Sequence, residues 1–313
     1  MDKEFNIEKE IDGVKYSFNI GKLANQASGA VLAKAGETVV LSVVTMSKEI
    51  KEDTDFFPLT VDYMEKMYAA GKIPGGFFKR GGRSSDYEVL KSRLIDRSIR
   101  PLFPKYMRNE VQIICYVLSS DGVNQPDVLA INATSLALCI SEIPFNGPVS
   151  AVRIGRVDDK FITNSPFTVE DETLLDLVVA RTRRAIVMVE SGSNEISLDL
   201  MVEAFSYADA KNYEFLSFQE EILSQLPLKE KAVIQEPVLM DDIKKATEDY
   251  LTDRIENALF NPVKQQRENA VDNLKQDLHL ELDTLFPERI GEIDLAFDKF
   301  VYDYVRRKIV LEN

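Results

Sequence analysis

The chain has 313 residues, 45% of them hydrophobic and 29% charged, with 38 Lys and Arg against 52 Asp and Glu for a formal net charge of −14. That is enough apolar material for one large or two ordinary folded domains and excludes a disordered chain. A single histidine, His279, excludes a His-based nucleophilic triad and a multi-His metal site, and Cys115 and Cys139 are too few for a zinc cage.

No run approaches the roughly 18 apolar residues of a membrane span, and the charged start "MDKEFNIEKEIDG" lacks the apolar stretch of a signal peptide. No membrane partner is therefore expected. Cys115 ("IICYV") and Cys139 ("LALCI") sit in apolar runs and read as buried free thiols of a cytoplasmic protein.

In chain order, "GVKYSFNIGKL", "GAVLAKAGETVVLSVVTMS" and "FFPLTVDYM" read as strands, rich in β-branched and aromatic residues and punctuated by Gly, Ser and Asn. "AAGKIPGG" follows; it lacks the G-x-x-x-x-G-K-[ST] pattern and is no nucleotide loop. Beyond a basic segment comes another strand, "EVQIICYVLSS", then a helix entered through Pro126, "QPDVLAINATSLALCISEI". "GPVSAVRIGRV" and "TLLDLVVARTRRAIVMVES" read as further strands, and a helix is predicted from about Ser197 with Leu198, Met201, Val202 and Phe205 on one face. Strands mixed with single helices predict an α+β domain over 1–235. From about Met240 only amphipathic helices remain, broken at Asn261-Pro262 and Phe286-Pro287, which predicts a small all-α domain over 236–313.

The basic segment, "GGFFKRGGRSSDYEVLKSRLIDRSIRPLFPKYMR", runs against the acidic composition: residues 79 to 108 hold nine Lys and Arg against three Asp and Glu, 9 − 3 = +6. Ser85 and Glu88 have capping-box spacing, and Pro101 ends the predicted helix. At about 100° per residue, Arg93, Arg97 and Arg100 fall within roughly 60° of one another as one guanidinium stripe. Leu90, Leu94 and Tyr87 are expected to form an adjoining apolar face that docks it. Arginine forks grip phosphate bidentately, and Lys79, Arg80 and Arg83 extend the charge into the preceding loop. Phe77 and Phe78, between glycine pairs, read either as loop hydrophobes tucked into the core or as a stacking platform over a charged groove, the way single-stranded nucleic acid is held.

"DFFPLTVDYMEKMYAAGKIPGGFFKRGGR", "SRLIDRSIRPLFP" and "PDVLAINATSLALCISEIPFNGP" closely resemble the first half of the bacterial polynucleotide phosphorylases, and the resemblance covers essentially the whole chain. It implies a ribonuclease PH-like core domain (a mixed sheet with packed helices) followed by an all-helical linker domain. It also implies a trimeric ring that degrades single-stranded RNA from the 3′ end, with inorganic phosphate as co-substrate and magnesium as cofactor, working with other RNA-degrading partners. Phe77, Phe78, Lys79 and Arg80 would line the RNA channel, and Arg83, Arg93, Arg97 and Arg100 would face the RNA backbone. The chain departs from the family pattern at Gly81, Ser84, Ser98 and Tyr207-Ala208-Asp209, which bears on the pose of the phenylalanine loop.

The resemblance places the phosphate and magnesium sites in a second core domain outside this chain, so no catalytic or metal residue is expected here. The corresponding turn reads Asn124-Gln125-Pro126-Asp127. Pro126 has no N–H to offer, and Asp127 brings a negative charge where an anion would sit, so Asp127 is expected to be a helix cap. Three functions stand open: part of a phosphorolytic exoribonuclease, a non-catalytic RNA-binding ring subunit acting with a separate active chain, or a self-sufficient ribonuclease PH-like enzyme.

Overall fold

A computed structural model describes residues 4–50, 56–77, 82–166, 173–234, 240–287 and 289–311. Two compact units emerge, Met1–Gln235 and Glu236–Asn313.

The first unit opens with strands β1 (Phe5–Ile11), β2 (Val14–Ile20), β3 (Gly29–Ala35), β4 (Thr38–Met46) and β5 (Leu59–Glu65), followed by helix α1 (Asp86–Ile99), strand β6 (Val111–Ser119) and helix α2 (Pro126–Ile140). β1 lies in the charged start of the chain, ahead of the first segment whose composition marks it as a strand. Asp12 and Gly13, at φ 51° and 77°, turn the chain between β1 and β2 as a two-residue hairpin requires. The six strands form one sheet in the order β1-β2-β3-β4-β6-β5, antiparallel except for the parallel β5–β6 pair. A parallel pair needs a crossover, and α1 supplies it.

The second half of the unit contains β7 (Ser150–Val157), β8 (Lys160–Thr163), β9 (Leu175–Arg181), β10 (Ile186–Ser193) and the long helix α3 (Leu198–Ser224). The strands form a second, antiparallel sheet in the order β10-β9-β7-β8. Every residue of α2 is buried, because it packs on β3 and β4 of one sheet and β7 of the other. Its polar side chains are satisfied inside. Asn132 Nδ2 donates to the Val128 and Ala151 carbonyls (3.0 and 2.9 Å), and Ser135 Oγ donates to Gln219 of α3 (2.8 Å). At Gly29 the strand comes so close to α2 that a Cβ would stand 2.4 Å from the Ala137 carbonyl oxygen. Both cysteines are free and buried, and burial pushes the Cys139 thiol up to about 12.

On α3, Met201 and Phe205 of the expected apolar face pack against the core. The helix's buried face is Ala204, Ala208, Asn212, Phe215, Leu216, Phe218, Gln219 and Ile222, whereas Leu198 and Val202 are exposed. The apolar spacing near Ser197 is real, but the helix's inward face is chosen by the aromatic contacts further along, Tyr16 with Phe215 and Phe18 with Phe218.

The second unit is helical throughout its described residues: α4 (Asp241–Leu251), α5 (Ile255–Leu259), α6 (Lys264–Leu285) and α7 (Ile290–Leu311). The first predicted helix breaks in two at 252–254, while the breaks at Pro262 and Pro287 fall where expected. Its core gathers Ile243, Leu251, Ile255, Leu278, Leu282, Ile293 and Phe297. Among the described residues, no helix is long and apolar enough to cross a membrane.

Candidate nucleic-acid interface

The basic segment becomes α1, and its first turn carries the expected capping box. Ser85 Oγ accepts from the Glu88 N–H (3.2 Å), and Glu88 Oε2 accepts from the Ser85 N–H (2.7 Å). The same box ties the helix to the sheet. Glu88 Oε1 accepts from the Glu65 N–H (2.9 Å), and Ser92 Oγ accepts from the Tyr63 N–H (3.0 Å), so α1 covers N–H groups along the open side of edge strand β5. The buried face is Leu94, Ile95, Ser98 and Ile99, opposite the arginine stripe. The expected docking face is thereby corrected. Leu94 is buried, but Leu90 is 61% exposed and Tyr87 is exposed too, because the crossover turns the Ile95–Ile99 side to the sheet.

The three stripe arginines meet different surroundings. Arg93 is exposed and has no ion pair among the described residues. Arg97 is half exposed and pairs with Glu190 on β10. Arg100 is held through each of its three nitrogens. Its Nε donates to both Asp96 oxygens (3.0 and 3.1 Å), its Nη1 to the Phe57 carbonyl (3.3 Å) and its Nη2 to the Leu59 carbonyl (3.2 Å), with the guanidinium 5.7 Å from the Phe57 ring centroid. Arg100 thus fastens the end of α1 to the chain entering β5. Leu90, Arg93, Asp96, Arg97 and Glu190 line an open cavity of about 420 Å³ beside the stripe. In the preceding loop, Arg83 is exposed and Phe77 is 94% exposed, so Phe77 is not tucked into the core. Phe78, Lys79 and Arg80 lie outside the described residues.

At the start of α2 the helix cap position is Gln125, without a side-chain cap bond, and Asp127 stands inside the first turn. Its Oδ1 accepts the Val128 N–H (2.7 Å), which a cap could do from outside. Its Oδ2 does what the sequence did not disclose: it accepts from Lys91 Nζ of α1 (2.6 Å) and from Arg153 Nη2 of β7 (2.6 Å). Arg153 also donates to Asp176 of β9 (2.7 Å). Asp127 is 1% exposed, and burial alone would raise its pKa, yet the charges of Arg153 and Lys91 outweigh burial and hold it low. The position where an anion would meet the helix is filled by the chain's own carboxylate. The preceding turn is equally closed. Asp121 accepts from Thr38 Oγ1 (3.0 Å) and from the Val123 and Asn124 N–H groups (2.8 Å each). Among the described residues, no three His, Cys, Asp or Glu side chains gather as metal ligands.

Two sheets sharing a buried helix, with α1 as a crossover, define the class. Residues 15–144 match the 3′ exoribonuclease family, domain 1, and residues 147–211 match its domain 2, and the chain belongs to this RNase PH family. The join between the two matched regions falls between α2 and β7, where the first sheet gives way to the second. More particularly, the chain is similar to polyribonucleotide nucleotidyltransferases. It is 43% identical to that of Dictyoglomus thermophilum, over 98% of this chain and 44% of that protein. Against the Thermomicrobium roseum protein the identity is 45%, over 96% of this chain and 39% of the relative. The chain spans less than half the length of these relatives and corresponds to their N-terminal half. The crystal structure of rice (Oryza sativa) Rrp46 shares the fold, with a TM-score of 0.56 at 15% identity, covering 67% of this chain and 94% of that one.

Proposed function

We propose that this chain is the RNA-holding, ring-building portion of a phosphorolytic 3′-to-5′ exoribonuclease, which converts RNA and phosphate to nucleoside diphosphates. The observation that carries the reading is the exposed arginine face of α1, Arg93 and Arg97, on a fold whose relatives are named polyribonucleotide nucleotidyltransferases. Arg83 and Phe77 in the preceding loop are exposed as well; Phe78, Lys79 and Arg80, which the family resemblance assigns to the same RNA track, lie outside the described residues. Arg100 contributes mainly by anchoring the helix, since each of its three nitrogens already donates to an acceptor of this chain. Magnesium and phosphate act at residues outside this chain. The filled α2 turn supports this division, because Asp127 occupies the place an anion would need. A homotrimer in the cytoplasm is the assembly the family resemblance favours.

The test is binding of fluorescein-labelled oligo(A) to the chain across a salt series. Each phosphate contact on a single strand adds about −0.7 to the slope of log K against log salt. Replacing Arg93 and Arg97 together by alanine is expected to weaken binding and flatten the slope by about 1.4. Unchanged affinity and slope would sink the reading. Phe77→Ala is expected to weaken binding by about 1–3 kcal/mol, the range for a base–aromatic stack, without moving the melting temperature. The chain alone, given poly(A), phosphate and magnesium, is expected to release no ADP.

A further inference from the structure

We infer that Glu190 is the exchangeable counter-ion of the RNA track, which a backbone phosphate displaces from Arg97 at each step of strand movement. This rests on the reading of Arg93 and Arg97 as phosphate contacts. The ion pairs around α1 differ in kind. The Asp127 pairs are sealed from water, and the Arg100–Asp96 pair is locked by two further carbonyl bonds. The Arg97–Glu190 pair stands further in the open, its side chains 50% and 52% exposed against 41% and 27% for Arg100 and Asp96. It can open without leaving a charge in a dry interior.

Its place fits an exchange. The pair lines the 420 Å³ cavity together with Arg93, Asp96 and Leu90. That volume lies within the range that holds a small ligand, and a nucleotide unit threading past would bring its phosphate between the two guanidinium groups. Phosphate and carboxylate both present paired oxygens to the arginine fork, so one replaces the other with the same geometry. Glu190 comes from β10, an edge strand of the second sheet, and Arg97 from the crossover helix of the first. The carboxylate is therefore carried by a different element and stays in place when Arg97 turns to the strand. A phosphate leaving Arg97 is replaced by Glu190 rather than by water alone, which lowers the cost of letting go. A permanent negative charge beside the track also keeps the grip weak, as movement along a strand requires.

The experiment measures oligo(A) binding to the full chain for wild type, Glu190→Gln, Arg97→Ala and the double variant, with thermal melts to verify folding. Glu190→Gln is expected to tighten binding about two- to fivefold, the range for an exposed ion pair, and to steepen the salt slope by up to about 0.7 as Arg97 becomes a full-time phosphate contact. In the Arg97→Ala background the gain should shrink. Unchanged affinity on Glu190→Gln, with Arg93 and Arg97 variants still weakened, overturns the exchange while leaving the RNA-binding reading intact. Weakened binding, with a lost preference for RNA over DNA, overturns it in favour of a direct carboxylate contact to the ribose 2′-hydroxyl. If the arginine variants themselves bind as wild type, it is the proposed function that fails.

Discussion

Asp127→Asn removes a charge and almost no volume, so its effect isolates the buried ion network. In the native protein the carboxylate is 1% exposed and takes hydrogen bonds from Lys91 and Arg153, both at 2.6 Å. The Arg153 side chain is only 5% exposed and that of Lys91 14%. Removing one partner of a buried pair costs about 3–5 kcal/mol, because the other charge stays dry and uncompensated. Arg153 keeps its bond to the more exposed Asp176, which argues for the lower end, about 3 kcal/mol. For a unit of this size, about 2–4 °C per kcal/mol puts the loss of melting temperature at about 6–12 °C. The carboxyl pKa is held below its ordinary value, so its stabilisation is complete above about pH 4 and is lost as pH falls through the folded value. Wild type should therefore lose stability in acid more steeply than Asp127→Asn. The assay is calorimetry of the full chain between pH 3 and 7, with β7 protection followed by hydrogen exchange. Replacing all three groups together, Lys91→Met, Asp127→Leu and Arg153→Met, should recover most of the loss, since an apolar set strands no charge. A single variant melting within about 2 °C of wild type, or a triple variant no better than the single, would refute the reasoning.

Ser85→Ala should cost about 1 kcal/mol by opening the capping box, seen as faster amide exchange in the first turn of α1; unchanged exchange would show that the Glu65 and Tyr63 bonds hold the helix unaided. Gly29→Ala puts a Cβ 2.4 Å from the Ala137 carbonyl oxygen and should destabilise the first unit, with denaturant melts as the readout and no change as the disproof. In the helical unit, His279 Nδ1 and Nε2 each lie 3.1 Å from a carboxylate oxygen, of Asp283 and Asp294. Burial alone would lower its pKa, but those two hydrogen bonds outweigh burial and the net shift is upward. Its contribution is thus present below about pH 6.5 and lost as pH rises through the folded value, so the helical unit should melt lower at pH 8 than at pH 6, and His279→Gln should remove that difference.

Features set by neighbours along the chain were legible from the residues alone. Ser85 and Glu88 announce a capping box because both partners lie in one turn. Pro126 opens α2, and Pro262 and Pro287 mark the helix breaks, because a proline acts on its own backbone. Most strands of the first sheet show in their β-branched and aromatic content, and long motifs pointed to the RNase PH family. Short or highly charged strands escaped: β1 reads as a charged terminus, and β8 has four residues, too few for a period to show. What each arginine does was set by contacts across the fold. Arg93, Arg97 and Arg100 look alike in sequence and share one helix stripe. Their partners come from elsewhere, Glu190 being 93 residues from Arg97, and the Phe57 and Leu59 carbonyls 43 and 41 residues from Arg100. Asp127 likewise has the local signature of a helix cap, yet Lys91 and Arg153, 36 and 26 residues away, make it the buried hub between α1, α2 and β7. A guanidinium or a carboxylate carries its charge in the sequence, but whether that charge is free or already paired depends on which strands the chain folds beside it.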